Sequence, residues 1–376
     1  MIYFDNAATT PPLPFDYSTA SWANPSSPHG MGIAAERQLT AARKTLAQLV
    51  NCQPNELLFT SGGTESNNLA VLGWVLGHGR TAARALGLLP LLCVEPWAHP
   101  SLLAPVQWAA AQGWAEAHIG PIASWPTAMP ANRPTLSCLS QVHHETGDIT
   151  HVSEVVAQLK SANPAVCIHV DGAQGFGKEA FAFAASGTDM YAASGHKCHG
   201  PTGVGLLAVR NGLRLSPLLH GGGQERTLRP GTENLMSIIH LAHAAQQLHP
   251  LLERHHAHAA ALNAILRNLI HDLPDTYMNA QSPTPSPFIL NLSFLGCKGE
   301  VLVHMLYEQG LCTSMGAACR SRTNTKTSLE AMGYDAAHAA SALRLSFSHI
   351  NTLDEAHAAK AKIIDCVTQL RKITGY

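Results

Sequence analysis

Short apolar runs punctuate the first two thirds of the chain: Leu57-Leu58-Phe59, Leu91-Leu92-Cys93-Val94, Val166 to Val170, Met190 to Ala193 and Leu206 to Val209. They are nearly continuous rather than alternating, and more polar stretches with helical spacing separate them. That combination predicts a mostly parallel sheet covered by helices on both faces. Ligands of such sheets sit beyond the C-terminal ends of the strands. The stretch from Ile33 to Val50 places Leu39, Leu46 and Leu49 near one face and Glu36, Arg37, Arg43 and Lys44 largely elsewhere, which predicts a helix.

The region from about 211 to 235 is rich in Gly and Arg and reads as a long functional loop rather than a linker. Beyond it the pattern predicts an Ala/His/Leu-rich helix near 238–271, then a Pro-rich connection at Pro283 to Pro287. A strand from Phe288 to Phe294, a helix around Glu300 to Gln309, an alternating strand Leu343-Arg344-Leu345-Ser346-Phe347 and a final helix make an α+β C-terminal unit. There is no internal repeat.

A length of 376 residues fits two domains or one large domain with an appendage. Charged residues are 13% of the chain against an average of about 25%, which points to much buried surface and to a subunit interface. The formal net charge is -1 and no Lys/Arg block occurs, so neither nucleic acid nor an anionic membrane is an expected partner. The opening residues Met1-Ile2-Tyr3-Phe4-Asp5 lack a basic region followed by an apolar stretch, and the longest apolar run, Ala85 to Val94, contains Pro90 and is too short to span a bilayer. A cytoplasmic location is the expectation. The nine cysteines include no C-x-x-C pair, and the 22 histidines are scattered without ligand spacing, so neither a disulfide framework nor a metal site is expected.

Three motifs carry candidate chemistry. In Ser194-Gly195-His196-Lys197 a lysine follows an apolar run, where burial beside small residues suits an amine that forms Schiff bases. In Val170-Asp171-Gly172-Ala173-Gln174 an acid closes a buried strand. Pyridoxal phosphate (PLP) needs a carboxylate against its pyridine nitrogen, a role for Asp171, and Gln174 is placed to hydrogen-bond the phenolic oxygen. In Thr60-Ser61-Gly62-Gly63-Thr64-Glu65-Ser66 a glycine turn opens a helix whose free N–H groups, with the Thr64 hydroxyl, make a phosphate cradle. Singly, each has a plainer reading as a solvated lysine, a helix-capping aspartate or a capped turn. Together they set a phosphate site, an acid and a lysine at strand ends of one sheet.

The chain resembles the cysteine desulfurases among the class V aminotransferase-like PLP enzymes. The resemblance runs from Tyr3-Phe4-Asp5-Asn6-Ala7-Ala8-Thr9-Thr10 through Asn24-Pro25-Ser26-Ser27, Ser61 to Asn67, Ser194 to Lys197, Gly200-Pro201, Gly221-Gly222-Gly223-Gln224-Glu225 and Gly231-Thr232 to Arg344. It implies the α/β PLP fold type I: a large domain, 11–252, with a mostly parallel sheet, and a smaller α+β domain from 1–10 and 253–376. By position Lys197 matches the Schiff-base lysine, Asp171 the pyridinium partner, Gln174 the phenolic-oxygen partner and His99 the imidazole stacked on the ring. Gly63, Thr64, Ser194 and His196 match the phosphate site, and Thr232 a residue that reaches the phosphate of the neighbouring subunit in a homodimer. Arg344 matches the substrate-carboxylate arginine, with Asn24 also on the substrate side. Gly316-Ala317-Ala318-Cys319 matches the loop of the nucleophile, with Cys312 nearby read as an inert buried thiol.

The implied reaction converts L-cysteine to L-alanine and leaves a persulfide on Cys319 for a sulfur-acceptor protein, either an iron–sulfur scaffold or a tRNA-thiolation relay. Where the family usually shows two asparagines before a glutamate, this chain has His143-His144-Glu145, and the second asparagine normally contacts cofactor and substrate carboxylate. Met315 and Ala317 replace serines, and Ser348-His349 replaces a Gly-Arg pair. Two further readings therefore stay open: another PLP reaction on the same scaffold, such as selenocysteine or cystine lyase or a transamination, and a divergent non-catalytic paralogue.

Overall fold

The computed structural model describes residues 1–315 and 327–376. They form two units: Pro11–Gln141 with Thr150–Pro250, and Met1–Thr10 with Val142–Ile149 and Leu251–Tyr376. The Val142–Ile149 segment lies in sequence inside the span read as the large domain but packs with the other unit. The strands are β1 (Ile2–Tyr3), β2 (Leu57–Thr60), β3 (Leu91–Val94), β4 (Glu116–Ile119), β5 (Thr135–Ser140), β6 (Cys167–Asp171), β7 (Met190–Ser194), β8 (Gly205–Val209), β9 (Thr276–Met278), β10 (Ile289–Phe294), β11 (Leu311–Cys312) and β12 (Ala342–Ser346).

In the larger unit seven strands form one sheet in the order β2-β8-β7-β6-β5-β3-β4. Only β8 runs against its neighbours, pairing antiparallel with both β2 and β7. The apolar runs divide by side-chain parity. Leu57, Phe59, Ile168, Val170, Tyr191, Ala193, Leu206 and Ala208 join one core with the helices Gly30–Val50, Val152–Ala162 and Leu235–Leu248. Leu58, Cys167, Met190, Ala192, Leu207 and Val209 join another with the helices Gly63–Trp74 and Pro100–Ala111. A strand buried on both faces has no reason to alternate, which is why these segments read as continuous runs.

Two strands escape a search for apolar runs. β5 is Thr-Leu-Ser-Cys-Leu-Ser, a central strand whose hydroxyls are buried, and β4 is a half-exposed edge. The helix expected over 238–271 is instead three helices, Leu235–Leu248, Leu252–Arg267 and Leu269–Asp272, with a short 3-10 turn over His249–Leu251. Pro250 lacks an N–H and cannot continue a ladder, so the break falls there.

The smaller unit holds the antiparallel sheet β12-β10-β9 and the parallel pair β1-β11. Phe4, Leu292, Phe294, Leu343, Leu345 and Phe347 pack with Leu262, Leu266, Leu302, Leu306, Ile363 and Val367 from its helices. Because Leu343, Leu345 and Phe347 take one face of β12, Arg344 takes the other.

His169 sits at the centre of β6, fully buried, and burial pulls its pKa down from 6.5 to about 4. In the unfolded chain it titrates near its ordinary value, so between about pH 6.5 and 4 the unfolded chain binds the extra proton and stability falls as pH falls. The loss approaches about 3 kcal/mol once the folded pKa is passed. Urea midpoints followed by circular dichroism across that window should drop more steeply for the wild type than for His169→Gln. Parallel profiles would contradict the buried neutral imidazole.

Candidate active site

The larger unit gathers its candidate residues by register. Ser140 lies opposite Asp171 and Asp171 opposite Ala192. Ser194 and Thr60 both lie opposite Gly205. The C-terminal ends of β5, β6, β7 and β2 therefore share one edge of the sheet. There is no room at Gly205 for a side chain, whose Cβ would stand 2.6 Å from the Gly62 Cα, so the turn after β2 is drawn close against the turn after β7.

Asp171 closes β6 with its carboxylate buried: Oδ1 accepts from the Ala173 N–H and Oδ2 from Asn67 Nδ2, each at 2.9 Å. Gln174, also buried, accepts through Oε1 from Lys178 Nζ at 3.2 Å, which leaves its amide nitrogen as the donor side. After β2, Gly62 takes φ 153° and Gly63 opens the helix Gly63–Trp74 without a side-chain cap. Its first N–H groups have no intrahelical partner, an arrangement suited to an anion. Ser194 ends β7 beside this turn, its Cβ 3.5 Å from where a Gly63 Cβ would lie. Gly195–Lys197 make one 3-10 turn that presents His196 and Lys197, both half-buried. Burial, then the charges of Lys197 and Lys178, hold the His196 pKa below its ordinary value.

His99 caps the helix Pro100–Ala111: its Nδ1 accepts from the Ser101 N–H at 3.1 Å and lies 2.7 Å from Ser101 Oγ. A cavity of about 590 Å³ opens here, lined by Thr64, Asn68, Leu72, His99, Ser101 and Trp108 among others. Thr232 is exposed, on the loop that follows Glu225. Three consecutive residues of that loop, Glu225, Arg226 and Thr227, have φ of 46°, 57° and 64°. Buried Glu225 holds the loop in place, with Oε2 accepting from Arg43 Nη1 and from the Phe59 N–H, both at 2.9 Å. Asn24 is exposed and folds back on its own turn, Oδ1 accepting from the Ser26 N–H at 2.9 Å.

The smaller unit holds Arg344, 5% exposed. Its Nη1 donates to the His144 carbonyl at 2.8 Å and its Nη2 pairs with Asp5 Oδ1 at 3.0 Å, while its Nε has no partner among the described residues. Burial raises the Asp5 pKa, opposed by Arg344. His144 Nε2 stands 3.4 Å from Glu145 Oε1, and His143 Nδ1 is 2.9 Å from Thr146 Oγ1. Backbone bonds join Arg344 to Ser314, the Arg344 N–H donating to the Ser314 carbonyl at 2.6 Å. Cys319 lies outside the described residues. Cys312 is half-buried rather than buried, on β11. Of the other described thiols, burial pushes those of Cys52, Cys93 and Cys198 up to about 12 and raises those of Cys138, Cys167, Cys297 and Cys366 above their ordinary value. Thiols held protonated in this way are poor nucleophiles at neutral pH.

Residues that sequence reasoning gave no role include Asn67, Ser101, His169, Lys178 and, as the partner of Arg344, Asp5. The one available signal was His169, a titratable residue inside the apolar run from Val166 to Val170.

The profile of the family described as aminotransferase class V matches residues 2–358. A NifS/IcsS protein homolog of Lactobacillus delbrueckii subsp. bulgaricus is 34% identical over 95% of this chain and 94% of its own length. An IscS-like cysteine desulfurase of Mycobacterium tuberculosis is 32% identical over 99% of this chain and 98% of its own. The solved structure of a NifS-like protein superposes with a TM-score of 0.85 at 27% identity, over 100% of this chain and 99% of that one. The sheet order, the helices on both its faces and the smaller α+β unit are those of PLP fold type I, and the chain belongs to the class V aminotransferase family, among its cysteine desulfurases.

Proposed function

We propose that the protein is a PLP-dependent cysteine desulfurase that converts L-cysteine to L-alanine and keeps the sulfur as a persulfide on Cys319. The observation that carries this reading is the shared register edge, which brings the open helix N-terminus at Gly63, the buried Asp171 carboxylate and the turn bearing Lys197 together.

The donor set fits the cofactor. Asp171 receives two N–H groups and no hydroxyl, which suits a carboxylate facing a protonated pyridine nitrogen. The Lys178 contact turns the nitrogen of the Gln174 amide toward donation, as a phenolate oxygen requires. Gly63, Thr64, Ser194 and His196 supply neutral donors for the phosphate, and Lys197 supplies the amine that anchors the aldehyde carbon. His99 would stack on the ring of the bound cofactor. When bound, PLP supplies the electron sink that accommodates the electron pair left on the substrate α-carbon. Thr232, exposed in one chain, is assigned to the phosphate site of a second copy, so the working form is a homodimer.

Arg344 takes the substrate carboxylate, using the buried Nε that lacks a partner among the described residues, with His144 and Asn24 on the substrate side. The thiolate of Cys319 attacks the substrate sulfur; the carbon–sulfur bond breaks, a sulfur–sulfur bond forms, and the departing carbon takes a proton to give alanine. Four residues of sequence separate Cys319 from Ser314, whose backbone is tied to Arg344. The persulfide is handed to an acceptor protein, an iron–sulfur scaffold or a tRNA-thiolation relay. No described helix is long and apolar enough to cross a membrane, and all eight described cysteines are free, as in a reducing cytoplasm.

The purified, PLP-loaded protein given L-cysteine and a reductant should release alanine and sulfide in equal amounts. Cys319→Ala should retain the yellow cofactor absorbance and make neither product, and continued sulfide release would reassign the nucleophile. Lys197→Ala should lose both the absorbance and the activity, and a variant that stays yellow would remove the lysine from its role. Arg344→Lys gives up the planar two-pronged contact, so KM for L-cysteine should rise roughly 10–100-fold with kcat much less affected. An unchanged KM would place the carboxylate elsewhere.

A further inference from the structure

We propose that Asn67 is a positioning residue which ties the Asp171 carboxylate to His99 and, through Ser101, holds the His99 imidazole as its Nε2–H tautomer. The inference deepens the desulfurase reading and rests on it for its effect on turnover.

Asn67 lies in the helix Gly63–Trp74 with no exposed surface. Its Nδ2 reaches two acceptors, Asp171 Oδ2 and Ser101 Oγ, each at 2.9 Å. Its Oδ1 is 2.8 Å from His169 Nε2. The amide has one workable orientation, because reversing it would set Oδ1 against the carboxylate oxygen. His169 must then donate through Nε2. It is able to: burial keeps the ring neutral, and its single proton then sits on Nε2, facing the Asn67 Oδ1.

The directions propagate. Ser101 Oγ accepts the Asn67 N–H, so its own proton goes to His99 Nδ1, 2.7 Å away. The Ser101 N–H donates to the same Nδ1 at 3.1 Å. Two donors aimed at one ring nitrogen require a lone pair there, so a neutral His99 carries its proton on Nε2. Protonating Nδ1 would turn the Ser101 hydroxyl away and strip the Ser101 N–H, which caps the helix, of its acceptor. Proton exchange at His99 therefore runs through Nε2. One buried amide thus fixes two groups assigned to opposite tasks on the cofactor: the acid against its ring nitrogen and the imidazole over its face.

Long-range proton–nitrogen correlation spectra of the histidine-labelled, full-length protein read the tautomer directly. The His99 signals are identified by their loss in His99→Gln. Wild type should show His99 protonated on Nε2. Ser101→Ala and Asn67→Leu should move it toward a mixture of tautomers and lower kcat about 10–100-fold, a range typical of outer partners. KM should change much less, and Ser101→Thr, which keeps the hydroxyl, should restore both tautomer and turnover. A wild-type His99 protonated on Nδ1, or a tautomer unmoved in Ser101→Ala, would overturn the proposal. The spectra need no substrate. A wild-type protein that makes no alanine from L-cysteine would refute the desulfurase reading, while the tautomer result would still decide the relay.

Discussion

The hydrogen-bond ladder between β6, β7, β8 and β2 is the constraint on which the rest of the larger unit depends. A one-residue slip in a strand exchanges its two faces, and here both faces are committed to cores, so register is specified twice over. That commitment is what sets Asp171 and Ser194 at the ends of neighbouring strands. β8, the one reversed strand, closes the arrangement. By pairing Gly205 with both Ser194 and Thr60 it brings the glycine turn after β2 against the end of β7, although these two strands are not neighbours. The closeness of these two turns is thus a product of sheet geometry and of one missing side chain at Gly205.

The parts of this architecture that were legible in the sequence are those where burial is complete. Five of the seven strands announce themselves as apolar runs because helices cover both faces. β4 and β5 do not: one is a half-exposed edge, and the other fills a central position with Thr, Ser and Cys whose hydroxyls find partners inside. The Thr135 and Ser137 hydroxyls bond to the Arg133 carbonyl and the Met129 sulfur, so composition gives no warning that the strand is central. Pro250 lacks the N–H that a continuous helix needs, although the pattern of Ala and Leu continues on either side of it.

The candidate residues were legible by their chemistry, and the side chains that support them were not. Asp171, Lys197 and the glycine turn stand out because each residue type has a definite task at a strand end. Asn67, Ser101 and His169 do not, because an asparagine in a helix and a serine after a proline are ordinary until distances show that they touch the same groups. Hydrogen-bond direction is a property of the whole network, and it becomes determinate only where one member, here the Asp171 carboxylate, has no proton to give.

The histidine at 144 is intelligible in the same terms. Arg344 holds this residue through its backbone carbonyl, a contact that every amino acid can make, so the arginine keeps its anchor whatever the side chain. The other Arg344 bond, to Asp5, likewise involves nothing at position 144. Exchange of an asparagine for histidine therefore leaves Arg344 in place and changes only what is presented beside it: an imidazole 3.4 Å from the buried carboxylate of Glu145. A substitution at position 144 therefore acts through the side chain it presents and leaves both Arg344 bonds in place.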